Sequence, residues 1–348
     1  MPNADRGRLQ QSLAGFIAEK EGLGPDSVRV KELSRLAGGA SRLLSSCAVE
    51  IDRAGAGIER LEIVLRQDPP GRVSPGGMEL EFSLLESAAR SGVPVPRVHW
   101  CSGDAAVLGS PFYAMDRVVG EAIPRRLLRD EAYAATRANM TQQLGSILAR
   151  IHSIDTGEPA LRNGLAAPEP GVSPAAAELE RLGQGYRALA VEPHPVLDLA
   201  DRWLREQLPP APQTTLVHGD YRVGNVMFDE TGIQAILDWE LAHVGDPIED
   251  LGWLCVRAWR FGNDSLAVGG VGTREELIEA YESAGGAQVD PQALRFWEAC
   301  GNYKLALVFI TQARAYLDGA HPTVELASLG RRIAEPEAEL LRLMEEAG

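Results

Sequence analysis

The stretch LVHGDYRVGNVMFD, Leu216–Asp229, places a histidine, an aspartate and an asparagine in one short loop between two apolar runs. An ordinary connection between strands needs only a turn residue or two. The flanking TTLV and NVMF predict short strands, and QAILD predicts a third. Asp238 follows the apolar run AIL and is therefore expected at a strand end. This concentration of polar groups predicts a functional site.

The polar residues of this loop have the types and order that phosphoryl transfer requires. Oxygen ligands such as those of Asn225 and Asp238 suit a hard divalent cation. Asp220 can accept the proton of an attacking hydroxyl. Protein kinases use an H-R-D-x-x-x-x-N loop followed by DFG, and here the Asp-to-Asn spacing is the same, with DWE in place of DFG. Turn formers alone could supply such residues, but three spaced elements in this order favour a site.

Composition narrows the class of protein. The chain has 348 residues, 45% of them hydrophobic and 24% charged, which is ordinary for a globular protein with a sizeable core. The net charge of −15 disfavours a nucleic-acid or membrane-surface partner. It is compatible with a cationic substrate or a metal-bridged anionic one.

Localisation is predicted from what the sequence lacks. Its four cysteines form no CxxC pair, which favours neither a zinc site nor a disulfide framework. The polar start MPNADRGRLQ is unlike a signal peptide, and no run of eighteen apolar residues occurs. A reduced cytoplasmic compartment is therefore expected.

The periodicity changes along the chain. Residues 6–22 carry the apolar face of a helix, and strand patterns then dominate up to about residue 118. In IERLEIVLRQ, Ile58, Leu61, Ile63 and Leu65 are expected mostly on one side of a strand. From residue 119 onward helical patterns prevail. Strands followed by helices predict an α+β fold with two lobes, residues 1–118 and 119–348.

At this point a family resemblance is clear. HGDYRVGN, LDWE and HVGDPIEDLGW are similar to the aminoglycoside phosphotransferase-like family, a branch of the protein-kinase-like fold. The chain most resembles the subgroup that also occurs as a kinase-like domain fused to some acyl-CoA dehydrogenases. The resemblance covers roughly residues 30–340. It implies a two-lobed fold, with an N-terminal antiparallel β-sheet lobe that binds nucleotide and a larger helical lobe that holds the catalytic and acceptor sites.

The resemblance implies a role for each motif residue. Asp220 corresponds to the catalytic base, and His218 braces its loop through hydrogen bonds. Asn225 and Asp238 correspond to the Mg²⁺ ligands. Asp246 and Asp250 of GDPIED are implied to be structural, and Asp246-Pro247 also suits an N-cap with proline at the first helical position.

The N-terminal lobe is implied to supply the ATP contacts. In GGASR, the backbone of Gly39, Ala40 and Ser41 can face phosphates, although a Gly-Gly pair alone more often marks a hairpin. Arg66 stands where kinases place a lysine, as in the subgroup, and can bind phosphate in a bidentate fork. Its alternative is a solvated strand cation.

Two further nucleotide contacts follow from the resemblance. The acid that pairs with Arg66 is expected on the next helix, where Glu81 matches the family position and Glu79 and Glu86 compete with it. PFYAMDRVVG resembles the strand and hinge that hold adenine through backbone groups, here at Asp116 and Val118.

The acceptor is left open. A hydroxyacyl group or hydroxyacyl-CoA is slightly favoured, with an aminoglycoside as the alternative and a catalytically inactive nucleotide-binding pseudokinase as a third. The phosphates of CoA would require a basic patch, for which Arg257, Arg260 and Arg314 are candidates. Residues 155–195 are expected to shape the acceptor site, and the oligomeric state is not predicted.

Four residues near the motif are interpreted as structural. His152 is expected to be a satisfied polar group or a helix C-terminal cation, and His243 to be structural or on the substrate side. The spacing of Trp253 and Trp259 is more typical of packing than of an acceptor site.

Overall fold

The computed structural model describes residues 3–36, 42–53, 55, 57–69, 76–211, 213–320 and 323–347. Its internal contacts divide the chain into two compact units. The first comprises Met1–Val119, Gly157–Leu165 and Gln234–Glu240, and the second comprises Gly120–Thr156, Ala166–Ile233 and Leu241–Gly348. The assignment of nucleotide binding to residues 1–118 and of catalysis to residues 119–348 stays a prediction.

The first unit is built on one antiparallel sheet. Its elements are α1 (Asn3–Lys20), β1 (Val28–Arg35), β2 (Leu43–Arg53), β3 (Gly57–Gln67), α2 (Gly77–Arg90), β4 (Val98–Ser102), α3 (Ala105–Leu108) and β5 (Phe112–Asp116). The strand order is β1-β2-β3-β5-β4. The strand patterns expected up to about residue 118 are confirmed, whereas the single helical turn α3 was not predicted.

One face of this sheet packs against α1. Leu13 and Ile17 of the helix are fully buried among core residues that include Ile63 and Leu65 of β3. Ile58 is an exception to the predicted buried side, because it is 61% exposed. The reason is the period of two: Ile58 lies an odd number of residues from Leu61, Ile63 and Leu65, and β3 pairs with β2 without a bulge, so its side chain faces the other side of the strand.

The second unit is mainly helical. Its helices are α4 (Pro124–Arg129), α5 (Ala134–His152), α6 (Pro174–Leu189), α7 (Pro195–Glu206), α8 (Ile248–Cys255), α9 (Arg274–Ser283), α10 (Pro291–Leu317), α11 (Val324–Leu329) and α12 (Ala334–Ala347). Its short strands are β6 (Thr215–Val217), β7 (Val226–Asp229) and β9 (His243–Gly245), and the chain passes into the first unit within β8 (Gly232–Ile236). The predicted α+β class is confirmed. In the described part of the chain, no helix has both the length and the apolar character needed to cross a bilayer.

The long helix α10 organises this unit and fixes the position of α8. A side chain at Gly252 would place its Cβ 2.5 Å from Trp297 Cβ of α10, so only glycine permits this approach. Trp297 also donates its indole N–H to Asp246 Oδ2 at 2.9 Å. These contacts determine where α8 presents Asp250 and Trp253.

The start of α8 differs from the prediction by one residue. The helix begins at Ile248, so Pro247 occupies the N-cap rather than the first helical position. The Asp246 carboxylate still accepts a hydrogen bond from the Ile248 N–H at 2.9 Å. The predicted structural role of Asp246 is therefore observed at a shifted position. Strand β9, which pairs with β6, was not predicted, because its sequence HVG contains only one strongly apolar residue.

Candidate active site

The loop after β6 is held by its backbone. Gly219 has φ of +80°, and a Cβ at this position would lie 2.4 Å from the Leu241 carbonyl oxygen. Glycine is therefore required here. The N–H groups of His218 and Gly219 donate to the two Asp250 oxygens at 2.7 and 2.9 Å. Asp250 thus fixes the peptide units that precede Asp220.

Asp250 is fully buried and depends on His152. Burial raises the pKa of Asp250, but its hydrogen bond to His152 and its electrostatic interaction with that residue outweigh burial and lower it. His152 Nε2 lies 3.2 Å from Asp250 Oδ2, and His152 Nδ1 lies 2.7 Å from the Tyr281 hydroxyl. The interpretation of His152 as a satisfied polar group is confirmed.

His218 lies beneath the loop. It is fully buried, and its Nδ1 accepts a hydrogen bond from the Asp220 N–H at 3.2 Å. Its ring meets that of Tyr221 edge to face at 5.8 Å. The predicted hydrogen-bonded brace is therefore present, and a direct part in catalysis stays a prediction.

The Asp220 carboxylate has an asymmetric set of donors. Oδ1 accepts from Trp253 Nε1 at 2.8 Å and from Arg222 Nε at 3.0 Å. Oδ2 accepts from Asn225 Nδ2 at 2.6 Å. The described residues supply no second donor to Oδ2. This oxygen is therefore the better placed of the two to accept a proton.

Asn225 presents its amide in one orientation. Both of its hydrogen bonds use Nδ2, which donates to the side chain of Asp220 at 2.6 Å and to its backbone oxygen at 3.0 Å. Its Oδ1 has no donor among the described residues. A carboxamide oxygen left in this way suits a hard cation.

Two tryptophans contact Asp220 and the arginine that pairs with it. Trp253 is only 4% exposed and donates to Asp220, while the guanidinium of Arg222 lies 4.8 Å from the centre of the Trp259 ring. The two indole rings meet at 5.2 Å. The interpretation of Trp253 as packing alone was therefore incomplete. Its expected place in the core was a usable signal, since a buried indole N–H usually finds an acceptor.

Lys304 of α10 is a second support that the sequence did not reveal. Its Nζ donates to the Gly219 carbonyl oxygen at 2.9 Å, lies 3.4 Å from Glu249 and stands 5.0 Å from the centre of the Trp253 ring. Burial would lower the pKa of Lys304, but Glu249 and Glu178 raise it, so the ammonium stays charged. Lys304 therefore holds two groups in place: Gly219, which precedes Asp220, and the Trp253 indole, which donates to Asp220.

His243, which is partly exposed, and the buried Glu249 form an ion pair beside this lysine. Their atoms Nε2 and Oε2 are 3.2 Å apart, and His243 Nδ1 donates to the Leu241 carbonyl oxygen at 2.9 Å. Burial opposes ionisation of His243, but Glu249 raises its pKa to about 9. Burial likewise opposes ionisation of Glu249, but His243 and Lys304 lower its pKa to about 2.

We expect the free energy of unfolding to fall between pH 6.5 and 9 because of His243. A pKa raised by folding adds stability in full below the ordinary value of 6.5, and this stability is lost as the pH rises through about 9. The loss should be on the order of 2 kcal/mol. Urea unfolding at both pH values measures it, and His243→Gln should flatten the difference. An unchanged pH dependence in that variant would contradict the assignment.

In the first unit, Asp238 has an uncommon backbone conformation. Its φ is +66°, a left-handed conformation that costs free energy for a residue other than glycine. Arg66 Nη2 donates to Asp238 Oδ1 at 2.5 Å. No donor among the described residues reaches Oδ2. Such strain is typical of residues that the surrounding structure holds for function.

Arg66 pairs with the predicted acid. Arg66 Nε lies 2.9 Å from Glu81 Oε1, and the Tyr113 hydroxyl donates to the same oxygen at 3.0 Å. Glu79 and Glu86 are exposed instead. The Arg66–Glu81 pairing is confirmed, and Arg66 is not a solvated strand cation because it is 8% exposed. Burial would lower the pKa of Arg66, but Tyr113, Glu81 and Asp238 raise it.

A second buried arginine belongs to the same group and was missed. Arg42 pairs with Asp68, and it lies 3.3 Å from Glu81 and 3.1 Å from Glu240. Its position directly after GGAS was the available signal. The preceding residues Gly39, Ala40 and Ser41, which were predicted to face phosphates, lie outside the described residues.

The predicted adenine contacts differ in their backbone hydrogen bonds. The Asp116 N–H donates to the Arg97 carbonyl oxygen at 2.8 Å, so this N–H is not available to a base. The Val118 backbone has no partner among the described residues. The nucleotide roles of both residues stay predictions.

The predicted residues thus form one group in each unit. Arg66, Glu81 and Asp238 lie together in the first. The second holds the loop of His218, Asp220 and Asn225. A braced carboxylate with one freer oxygen can accept a proton. The side-chain oxygens of Asn225 and of Asp238 are, each in its own unit, of the kind that a hard cation prefers.

The phosphotransferase enzyme family model matches residues 32–297. The chain belongs to this family. Among curated relatives, Acyl-CoA dehydrogenase family member 11 from Gallus gallus is 30% identical over 302 residues, or 80% of this chain and 37% of that protein. The family and subgroup predictions are confirmed. The chain spans 21% to 37% of the length of the curated relatives it matches.

This phosphotransferase shares its fold with solved structures. A Ralstonia eutropha protein classed as a candidate aminoglycoside phosphotransferase is 23% identical with a TM-score of 0.73, covering 97% of this chain and 98% of the other. A thermostable variant of aminoglycoside phosphotransferase APH(4)-Ia, in complex with AMP-PNP and hygromycin B, is 17% identical with a TM-score of 0.60, covering 95% and 98%. Both likenesses show the fold.

Proposed function

We propose that this phosphotransferase moves the γ-phosphate of ATP to a hydroxyl group of a small molecule, with Mg²⁺ as cofactor. The observation that carries the proposal is the hydrogen bonding of the Asp220 carboxylate. Three side-chain donors hold its carboxylate, and Oδ2 keeps room for a hydroxyl proton. In this role Asp220 orients the acceptor oxygen and takes its proton during in-line attack.

The residues predicted for Mg²⁺ fit that ion. The free Asn225 Oδ1 and the Asp238 carboxylate are hard oxygen donors, which Mg²⁺ prefers. When bound, the ion would neutralise charge on the transferred phosphoryl group. Asn225 would bind the ion through Oδ1 while its Nδ2 donates to Asp220.

Nucleotide binding is supported by Arg66. The pairing with Glu81 fixes its guanidinium, which keeps N–H groups for phosphate oxygens. The free backbone of Val118 suits the edge of adenine. The complex of APH(4)-Ia with AMP-PNP is consistent with ATP as the donor.

A hydroxyacyl group, free or as its CoA thioester, is the favoured acceptor. The curated relatives are named as acyl-CoA dehydrogenase family members, which supports an acyl substrate for this chain too. Arg222 gives independent support, because a guanidinium paired with the proposed base disfavours the approach of a polycation.

An aminoglycoside is the second candidate acceptor. The net charge of −15 and the hygromycin B complex of APH(4)-Ia favour it. A pseudokinase is disfavoured because Asp220, Asn225 and Asp238 are all retained.

The proposed cellular location of the protein remains the cytoplasm.

Acceptor-dependent ATP consumption separates these candidates. The chain would be incubated with ATP and Mg²⁺ and with a hydroxyacyl-CoA, the same acyl-CoA without the hydroxyl, or an aminoglycoside. We expect turnover only with the hydroxyacyl-CoA. Turnover with the aminoglycoside alone would show that the acceptor is an aminoglycoside, and it would still support phosphotransfer from ATP.

Trp253→Phe should lower kcat about tenfold, because it removes one hydrogen bond to the charged Asp220 but keeps an aromatic ring beside Lys304. The affinity for ATP should not change. Trp259→Phe is the matched control, since the Trp259 N–H has no acceptor among the described residues. Equal losses in both variants would show that the indole N–H of Trp253 does not position the base. Steady-state kinetics and ATP titration measure the two quantities.

A further inference from the structure

Arg222 follows the proposed base by two residues and keeps part of its guanidinium open. Its Nε donates to Asp220 Oδ1 at 3.0 Å. Its Nη1 and Nη2 have no acceptor among the described residues, and the side chain is 26% exposed. Neither of these two nitrogens is buried. Two hydrogen-bonding groups of one cation are therefore accessible directly beside Asp220.

The position of this guanidinium is fixed on three sides. Besides the bond to Asp220, its carbon lies 4.8 Å from the centre of the Trp259 ring, within the range of a cation–π contact. On the third side, a Cβ at Gly224 would overlap Arg222 Nη1. Gly224 does not have a left-handed backbone, so it is the arginine rather than a turn that requires glycine here. A side chain held in this way loses less conformational entropy when it binds a ligand.

The open nitrogens lie where the acceptor must approach. In the proposed reaction the acceptor hydroxyl meets Asp220 Oδ2, and Arg222 holds Oδ1 of the same carboxylate. The atoms that the acceptor carries near its hydroxyl can therefore reach Nη1 and Nη2. A guanidinium binds oxygen acceptors, carboxylates above all, through two parallel N–H groups.

The three arginines that the sequence offered for acceptor recognition are engaged elsewhere. Each pairs with a carboxylate within 2.8 Å: Arg257 with Asp264, Arg260 with Glu298, and Arg314 with Asp318. These pairs give the predicted basic patch no support. Arg222, which the sequence analysis did not select, has the accessible donors that those arginines were expected to supply.

We propose that Arg222 binds the acyl oxygen of the acceptor and thereby selects hydroxyacyl compounds over plain alcohols. The inference rests on the proposed function, because it places the acceptor hydroxyl on Asp220. The acyl oxygen belongs either to the carboxylate of a free hydroxy acid or to the carbonyl of its thioester. Both present oxygen to the same two N–H groups, and the charge of the carboxylate strengthens the hydrogen bonds.

Acceptor discrimination by the whole chain, measured with ATP and Mg²⁺, tests this inference. The probes are hydroxyhexanoates with the hydroxyl at carbon 3, 4, 5 or 6, their CoA thioesters, and the matched hexanols in which a methyl group replaces the acyl group. For the wild type, we expect kcat/KM to be about 30-fold higher with the acyl probe than with its hexanol, as for hydrogen bonds to a charged group.

Arg222→Gln should reduce this preference to less than about threefold. The variant also loses the contact with Asp220, but that loss affects both probes of a pair alike and cancels in the ratio. A larger loss of kcat/KM with the free hydroxy acid than with the thioester would identify the carboxylate as the natural group. The opposite order would identify the thioester carbonyl.

A second variant displaces the guanidinium without removing its charge. Gly224→Ala puts a methyl group where Arg222 Nη1 lies, so it should lower the preference at least about fivefold. Arg314→Gln is the matched control, because it removes another arginine of the second unit whose Nε donates to an aspartate. It should keep the preference of the wild type.

Three results would overturn the inference. One is a wild type that uses hexanols as well as the acyl probes. Another is a preference that persists in Arg222→Gln, even if kcat falls, since Arg222 would then serve only the base or the transferred phosphate. The third is turnover with an aminoglycoside alone. All three would leave phosphotransfer intact, whereas no turnover with any acceptor would overturn the proposed function as well.

Discussion

Asp220→Asn is expected to lower kcat by about 10² to 10⁴-fold, the usual contribution of a positioned general base. The amide keeps the size of the side chain but cannot take a proton from the acceptor hydroxyl. Its donors Trp253 and Arg222 can still reach the remaining oxygen, so the loop should stay folded. The dissociation constant for ATP should therefore change by less than about threefold.

The control for this variant is Asp318→Asn, the same chemical change at an exposed position of the second unit. It should leave both quantities unchanged. Steady-state rates with the active acceptor and equilibrium titration with ATP measure them separately. Full turnover in Asp220→Asn would contradict the role of the base, and a matching loss of ATP affinity would point to a damaged fold.

Asp238→Asn is expected to lower kcat/KM by about 10³-fold, because a charged ligand of the proposed Mg²⁺ is replaced by a neutral one. Asparagine tolerates the left-handed backbone of this position better than any other neutral residue except glycine. The change therefore tests the charge rather than the strain. Arg66 keeps Glu81 as its partner.

A binding measurement separates the metal role from general damage. In the wild type, Mg²⁺ should strengthen ATP binding relative to a titration with EDTA, and Asp238→Asn should lose this enhancement. Asp52→Asn, at an exposed site of β2 in the same unit, should keep it. Retention of the full Mg²⁺ effect in Asp238→Asn would show that Asp238 is not a ligand.

Local parts of the site could be predicted from the sequence because spacing alone determines them. His218, Asp220 and Asn225 fall within eight residues, so their relation does not depend on distant packing. The same holds for the strands around them, whose apolar patterns are short but regular. The Arg66–Glu81 pairing came from the family resemblance, since the pattern of α2 allowed Glu79 and Glu86 as well.

The supports of the base could not be predicted, because they come from distant parts of the chain. Trp253 and Lys304 reach the loop only through the packing of α8 against α10. Arg42 and Asp68 form a buried pair that depends on the register of β2 and β3. Apolar periodicity does not report such contacts.

The most direct test of the central claim is isotope transfer from ATP. The chain would be incubated with Mg²⁺, a hydroxyacyl-CoA and ATP labelled with ¹⁸O at the three non-bridging γ-oxygens, and the acceptor would be analysed by mass spectrometry. We predict a phosphomonoester that carries all three labelled oxygens, formed by the wild type and not by Asp220→Asn. If the chain binds ATP but forms no labelled ester with the hydroxyacyl-CoA or with an aminoglycoside, the proposed phosphotransfer is contradicted.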